Sequence, residues 1–264
     1  MKLACCTWAL AGPEAQILEQ IAAIGFQWID IRSVDFTGET SRAQIAASKL
    51  QLSCVGLSFA LPAGSSFDSP EATARATAIT TATQGLHHAA AFGADSAYII
   101  PGVDESAQAL TRYADAITTV ADQAAALGIK LCVEHFPGRA LPTIAGTLAY
   151  LRGINHPNLY LLFDIGHAQM AQEDPVAALH AAGEQLGYVH LDDNDGQGDL
   201  HWALCDGVLT RPVLRDTFAA LTALGYTGGV SLELSPQLPD PRAAIQRSWQ
   251  ILAEVQKEGE YGNH

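Results

Sequence analysis

The chain has 264 residues, of which 48% are hydrophobic and 16% charged, a composition that supplies a large core and argues against an intrinsically disordered protein. Its formal net charge of −14 and its pI near 4.9 argue against the basic surface with which proteins bind nucleic acids and anionic membranes. The length falls near the roughly 250 residues of a single α/β barrel, which favours one domain over two small ones.

The amino-terminal segment and the cysteines predict a cytoplasmic protein. Residues 1–8 carry one positive charge and an apolar stretch that is too short for a signal peptide. The chain offers no run of about 18 apolar residues for a membrane span. The five cysteines are odd in number and include no CxxC pair. Since such cysteines are typical of a reducing compartment, we expect reduced and mostly buried thiols.

Eight short apolar runs with β-branched or aromatic residues recur along the chain. They occupy residues 3–8, 26–32, 52–58, 95–100, 129–136, 159–164, 187–192 and 229–234. Segments rich in alanine and leucine with helical periodicity separate the runs, notably 71–92 and 105–127. Successive runs begin about 30 residues apart, which is the length of one strand-plus-helix unit. The pattern predicts eight parallel strands that alternate with helices.

Two α/β architectures share this alternation, the closed (β/α)8 barrel, or TIM barrel, and the doubly wound open sheet. Neither GxGxxG nor GxxxxGK[ST], the glycine-rich signatures of nucleotide-binding sheets, follows the first run. We therefore predict a single-domain (β/α)8 TIM barrel over residues 1–256. The polar residues 257–264 are expected to form a C-terminal tail.

Polar residues interrupt the last four apolar runs close to their ends, one in each run. They are Glu134, Asp164, His190 and Glu233. Because the C-terminal ends of barrel strands meet at one face, we expect these side chains to converge. Any one of them alone is also compatible with a strand cap or an ion pair, but four at equivalent positions favour a metal site. Carboxylates buried without a partner are costly, and three together require a cation.

The type of metal follows from the ligands only in broad terms. Three carboxylates and one imidazole form a hard, oxygen-rich set without the thiolates of a structural zinc site. Such a set suits Mn, Mg, Co or Zn. We predict one divalent metal ion and leave its identity open.

The stretches VEHF, FDIGHA, YVHLDDN and SLEL resemble, in order and spacing, the xylose isomerase-like TIM barrel superfamily of sugar isomerases, epimerases and endonuclease IV-like enzymes. The resemblance covers nearly the whole chain. It implies that Glu134, Asp164, His190 and Glu233 bind the metal. In the resembling epimerases and isomerases the glutamates of strands five and eight also transfer protons, which implies that Glu134 and Glu233 are catalytic. Barrels of this superfamily frequently pair, so a homo-oligomer stays open.

The resemblance extends to His167, Asp199 and His201, whose counterparts in the DNA-cleaving relatives bind an additional metal. Those relatives also place histidines at the ends of strands three and four. This chain has serine and phenylalanine at 58–59 and isoleucine and proline at 100–101 instead, which argues against a nuclease. Two interpretations of the three residues stay open besides a second metal, namely direct contact with the substrate and hydrogen-bonded support of the metal ligands.

Two arginines and a tryptophan complete the predicted substrate site. Arg32 lies at the end of the second strand and Arg139 beyond the fifth, where they could offset the negative charge by which three carboxylates exceed a divalent ion. Each is equally compatible with an ordinary surface arginine. Trp8 lies on a predicted strand-end loop and could form an apolar wall for a small substrate, although packing in the core is the commoner use of such a residue.

These features predict an isomerase or epimerase of a small sugar, ketose or keto-acid. A metal that coordinates a carbonyl and the adjacent hydroxyl stabilises the enediolate formed when a carbon-bound proton leaves, and Glu134 and Glu233 would carry that proton. The first alternative is an inosose-type hydro-lyase, a dehydratase that the same superfamily contains. The less favoured alternative is a metal-dependent phosphodiesterase of the AP-endonuclease type. We expect a small-molecule sugar or keto-acid as the partner, with no nucleic acid and no membrane.

Overall fold

Eight parallel strands form the centre of the computed structural model, which describes the backbone of residues 1–261 and the side chains of residues 1–256. The strands are β1 (Lys2–Cys6), β2 (Trp28–Arg32), β3 (Gln51–Gly56), β4 (Ser96–Ile99), β5 (Lys130–Glu134), β6 (Leu159–Asp164), β7 (Leu186–Leu191) and β8 (Gly229–Leu232). They pair in chain order, and β8 closes the barrel onto β1. Each strand overlaps one of the eight apolar runs, so the predicted (β/α)8 barrel is confirmed.

Helices connect the strands on the outside of the barrel. They are α1 (Glu14–Ile24), α2 (Glu39–Ser48), α3 (Ala72–Ala91), α4 (Ala107–Ala126), α5 (Ile144–Ile154), α6 (Ile165–Met170), α7 (Pro175–Ala182), α8 (Arg211–Ala223) and α9 (Pro241–Tyr261). The helices predicted at 71–92 and 105–127 are α3 and α4. The backbone of residues 257–261, placed in the expected tail, continues α9, and residues 262–264 lie outside the described chain.

The alternation of side chains along each strand determines which residues enter the barrel. Outward residues of the strands join the large apolar core beneath the helices. The inward residues of neighbouring strands form a separate cluster of Cys54, Tyr98, Cys132, Leu162 and Tyr188. Because strand side chains alternate with a period of two, the residues two positions after Cys132, Leu162 and Tyr188 also face inward. Those residues are Glu134, Asp164 and His190.

The cysteines fit the expectation of reduced thiols. All five are free, and four of them are buried. Burial raises the pKa of the thiols of Cys5, Cys6, Cys54 and Cys132, which keeps them neutral. Within residues 1–261, no helix combines the length and the apolar character that crossing a bilayer requires. A cytoplasmic location stays a prediction.

Candidate metal centre and active site

The predicted metal ligands converge at the C-terminal end of the barrel. Glu134 ends β5, Asp164 ends β6, His190 is the penultimate residue of β7, and Glu233 directly follows β8. All four side chains are buried. One ligand atom from each lies within 4.8 Å of the others. The predicted convergence is confirmed, and we refer to these residues as the four-ligand cluster.

Three atoms of the four-ligand cluster are buried without a hydrogen-bond partner in the described part of the chain, Asp164 Oδ2 and both ring nitrogens of His190. His190 Nδ1 lies 2.7 Å from Glu233 Oε2, 3.8 Å from Glu134 Oε1 and 4.0 Å from Asp164 Oδ2, but not in hydrogen-bond geometry. Leaving a buried polar atom unsatisfied costs about 1–3 kcal/mol. A divalent cation between these atoms would remove that cost, so the donor set fits such an ion.

Burial and charge act in opposite directions on the cluster. Burial raises the pKa of Glu134. Burial also acts to raise the pKa of Glu233, but the adjacent His190, with help from two other histidines, outweighs it and lowers that pKa to about 2. For His190, burial is outweighed by the charge of Glu233, and its pKa is raised. The His190–Glu233 ion pair therefore stabilises the cluster, and a cation at this point would compete with the proton on His190.

A second polar group adjoins the four-ligand cluster, and we call it the histidine–aspartate cluster. Its members are His167, Asp192, Asp199 and His201. His201 lies between two carboxylates, 3.0 Å from Asp192 Oδ2 and 3.0 Å from Asp199 Oδ1. His167 Nε2 lies 3.3 Å from the same Asp199 oxygen. The structure thus brings together the three predicted residues and adds Asp192.

The histidine–aspartate cluster contains two imidazoles, which can carry positive charge, and two carboxylates. Asp192, Asp199 and His201 also lie close enough together to hold an ion. The two imidazoles can balance the two carboxylates without one, however. Burial, followed by the charge of Asp164, raises the pKa of Asp192 to about 7. The cluster therefore suits a role in binding polar groups as well as the second-metal role left open by the sequence.

A buried aspartate holds the loop that carries Asp199 and His201. The Asp193 carboxylate accepts hydrogen bonds from the N–H groups of Asn194, Gly207 and Leu209 at 2.8, 2.6 and 2.8 Å. His201 has a φ of 46°, in the left-handed region that side chains other than glycine rarely adopt. The carboxylate therefore fixes a loop conformation that the backbone alone does not favour.

Replacement of Asp193 by alanine should destabilise the protein by about 2–4 kcal/mol, because it leaves buried N–H groups without an acceptor. Asp195→Ala is the matched control, since that exposed carboxylate accepts two hydrogen bonds in the same loop. It should cost less than about 1 kcal/mol. Chemical denaturation of both variants measures the difference. Equal loss of stability in the two would show that the buried carboxylate does not hold the loop.

The predicted arginines lie on the rim and have partners of their own. Arg32 donates hydrogen bonds to Asp35 at 2.7 and 3.2 Å. Arg139 donates to the Pro101 carbonyl at 3.3 Å, and its guanidinium lies 5.1 Å from the Phe136 ring centroid. Arg139 also lines a cavity of about 330 Å³ at the ends of β3 and β4. The charge of Arg32 is matched locally, and substrate contact by either arginine stays a prediction.

A row of aromatic rings connects Trp8 with His190, one of the predicted metal ligands. The rings of Trp8 and Phe59 are 5.9 Å apart, those of Phe59 and Tyr98 6.3 Å, and those of Tyr98 and His190 5.2 Å. Phe59 is 40% exposed. Trp8 and Phe59 therefore form an apolar wall at the mouth of the barrel.

The amino-acid sequence of the chain matches a known family over most of its length. Residues 18–255 match the family described as xylose isomerase-like TIM barrel. The chain belongs to this family. The resemblance carried by VEHF, FDIGHA, YVHLDDN and SLEL is thereby confirmed.

Curated relatives of the xylose isomerase-like barrel match about half of this chain. An L-ribulose 3-epimerase of Methylomonas sp. (strain DH-1) is 29% identical over 135 residues, which cover 48% of this chain and 43% of the relative. An inosose dehydratase of Geobacillus kaustophilus is 31% identical over 143 residues, covering 48% and 45%. The matches thus span less than half the length of these relatives.

Solved structures resemble the whole xylose isomerase-like barrel. An L-ribulose 3-epimerase has a TM-score of 0.84 at 19% identity and covers 100% of this chain and 99% of its own. A D-psicose 3-epimerase studied with D-fructose has a TM-score of 0.80 at 18% identity, covering 97% and 98%. At such low identity the likeness supports the fold.

Asp30 and His135, like Asp192, are buried polar residues near the site that were not selected from the sequence. Asp30 interrupts the apolar stretch WIDIR of β2 and faces His190 from across the barrel. His135 lies within VEHF, and its Nε2 atom lies 3.2 Å from the backbone of Asp164. Asp30 carries the same signal, a charged residue inside an apolar run, that identified the four-ligand cluster.

Proposed function

We propose that the chain is a divalent-metal-dependent isomerase or epimerase of a small sugar, and that it inverts the carbon next to the carbonyl of a free ketose. The observation that carries the proposal is the meeting of Glu134 and Glu233 with Asp164 and His190 around one point. Relatives named as ketose 3-epimerases support the choice of substrate class, among them one from Arthrobacter globiformis that is 34% identical over 122 residues.

The four-ligand cluster would hold the metal. Its carboxylates and imidazole suit Mn, Mg, Co or Zn, and the unsatisfied Asp164 Oδ2 and His190 Nδ1 atoms point to a missing positive charge between them. When bound, such an ion stabilises the negative charge that develops on the substrate oxygens as the proton leaves carbon. The location inside a buried pocket strengthens that stabilisation, because water screens the charges less.

Glu134 and Glu233 are the proposed acid and base. They belong to strand ends that are separated by two strands, β6 and β7, and so approach the centre of the barrel from different sides. Epimerisation requires a proton to leave one face of a carbon and another to arrive on the opposite face. Two carboxylates on different sides of the substrate meet that requirement.

The histidine–aspartate cluster would bind the hydroxyl groups of the substrate. Asp199 Oδ1 lies 3.3 Å from His167 Nε2 and 3.0 Å from His201 Nε2, and the Asp199 side chain is 27% exposed, so its second oxygen can accept from a hydroxyl. His167 is held by its Nδ1 contact of 2.9 Å with the His135 carbonyl. A carboxylate oriented in this way favours a substrate that carries hydroxyl groups. Arg139, Arg32 and Trp8 would contact the more distant part of the substrate.

Dehydration of a keto-inositol is the second candidate function. The 31% identity with an inosose dehydratase favours it. Loss of water requires proton removal from carbon and an acid for the departing hydroxyl. A cytoplasmic location and a homo-oligomer stay predictions.

Incubation with a panel of free ketoses, a keto-acid and a keto-inositol separates the two candidates. We expect metal-loaded protein to convert a ketose into the epimer inverted at carbon 3, identified by chromatography and NMR. Protein treated with chelator is the control. Conversion of the keto-inositol alone, with loss of water, would replace epimerisation by dehydration. Conversion that is equally fast with chelator would contradict both candidates.

A further inference from the structure

Asp30 is a fully buried carboxylate in the middle of β2. Its neighbours Ile29 and Ile31 point into the core beneath the helices, so Asp30 points into the barrel. The pairing of β2 with β3 shifts register between Ile29 and Asp30, an irregularity that re-aims a side chain. A buried carboxylate requires partners, and the partners of Asp30 indicate its role.

One oxygen of Asp30 ends a chain of hydrogen bonds. The Tyr188 hydroxyl donates to Asp30 Oδ1 at 2.6 Å, and the Ser53 hydroxyl lies 2.6 Å from the Tyr188 hydroxyl. Because the phenol has a single proton and gives it to Asp30, Ser53 must be the donor to Tyr188. The direction of both hydrogen bonds is therefore fixed. The other oxygen, Asp30 Oδ2, faces His190 Nε2 at 3.7 Å and the Cys6 thiol at 3.8 Å.

The ring of His190 is held with its two nitrogens in different surroundings. Nδ1 faces the carboxylates of the four-ligand cluster, and Nε2 faces Asp30. The rings of Tyr98 and Tyr188 pack edge-on against the imidazole at 5.2 and 5.7 Å, each at 89°. The tyrosines therefore resist a turn of the imidazole that would exchange its nitrogens.

We propose that Asp30 is a positioning residue that accepts the Nε2 proton of His190 and so fixes the tautomer whose Nδ1 atom is free to bind metal. An imidazole that binds metal through Nδ1 must carry its proton on Nε2, and a carboxylate at that proton sets the tautomer and makes the ligand more basic. The distance of 3.7 Å between His190 Nε2 and Asp30 Oδ2 exceeds hydrogen-bond length. The proposed hydrogen bond therefore requires the two side chains to move closer together. The role rests on the proposed metal site but is independent of the substrate.

The metal affinity of Asp30→Asn tests this role. The amide can place its N–H₂ group toward Nε2, which then must be the acceptor and forces the proton onto Nδ1. We expect the dissociation constant for Mn²⁺ or Zn²⁺, measured by competition with a chromophoric chelator, to rise about 10–100-fold. Ser53→Ala is the matched control, because it breaks the same hydrogen-bonded chain without touching His190. Its dissociation constant should stay within about threefold of the wild type.

The outcomes separate the role of Asp30 from the proposed function. An unchanged dissociation constant in Asp30→Asn, or an equal rise in Ser53→Ala, would overturn the positioning role. Failure of the wild type to bind metal would instead refute the four-ligand site. If Asp30→Asn does not fold, nitrogen-15 NMR of the Zn²⁺-loaded wild type gives the answer. We expect a proton on His190 Nε2 that exchanges slowly with solvent, and a proton on Nδ1 would overturn the proposal.

Discussion

Glu134→Gln and Glu233→Gln should each lower kcat/KM for epimerisation by about 10²–10⁴-fold, because each removes a group that we propose as a proton carrier. Glutamine keeps the shape of the side chain and one oxygen for the metal, but it cannot take up or release the proton. Steady-state kinetics with saturating metal measure the loss. Glu19→Gln on the exposed face of α1 makes the same chemical change away from the site and should leave activity unaltered.

The two variants should also differ from each other. With one glutamate lost, the other can still remove the proton on its own face and return a deuteron from D2O. We therefore expect one variant to exchange deuterium into one epimer and the other variant into the opposite epimer, with little inversion in either. Full epimerase activity in both variants would contradict the assignment of Glu134 and Glu233 as acid and base.

Removal of the metal should abolish turnover and lower the thermal stability of the protein. A ligand present at about 100 times its dissociation constant stabilises the folded state by about 2.7 kcal/mol. In a protein of this size that corresponds to a rise in Tm of roughly 5–10 °C. Calorimetry with metal and with chelator measures the shift. Asp164→Asn, which alters the buried carboxylate with the unsatisfied oxygen, should reduce the shift strongly.

Asp199→Asn provides the comparison for the metal prediction. Asp199 belongs to the histidine–aspartate cluster, so its variant should keep the metal-dependent rise in Tm while KM for the sugar increases. Elemental analysis should give one ion per chain. Two ions in the wild type and one in Asp199→Asn would show that the histidine–aspartate cluster binds a second metal.

The strands and the four-ligand cluster were predictable because both depend on local pattern. Apolar runs of strand length indicate the barrel, and an acidic residue or histidine near the end of such a run indicates the active face. The predicted end of β3 at residue 58 was too late, because the chain turns at Ser58–Ala60 into a short 3₁₀ helix. Glu233 also lies just beyond β8, although its N–H still bonds to the Leu191 carbonyl at 3.0 Å.

Asp192 and Asp30 show what the sequence does not convey. Asp192 is buried because Gly166 has no side chain, and a Cβ there would lie 2.1 Å from Asp192 Oδ1. The contact between Gly166 and Asp192 joins α6 to the loop after β7, so no local sequence pattern predicts it. Asp30 was visible as a charge inside an apolar run. Its partner His190 is far from it in the sequence, on β7, and only the closed barrel brings the two side chains together. The pairing of Arg32 with Asp35, three residues apart, was open to local inspection.

Exchange of the carbon-3 proton of a ketose with D2O is the most direct test of the proposed chemistry. It follows proton transfer at carbon itself, and NMR detects it even when the two epimers interconvert without net change. We expect exchange with metal-loaded protein, none after chelation, and recovery when Mn²⁺, Mg²⁺, Co²⁺ or Zn²⁺ is returned. A protein that binds about one metal ion in the four-ligand cluster but exchanges no carbon-bound proton in any ketose would contradict the proposed function.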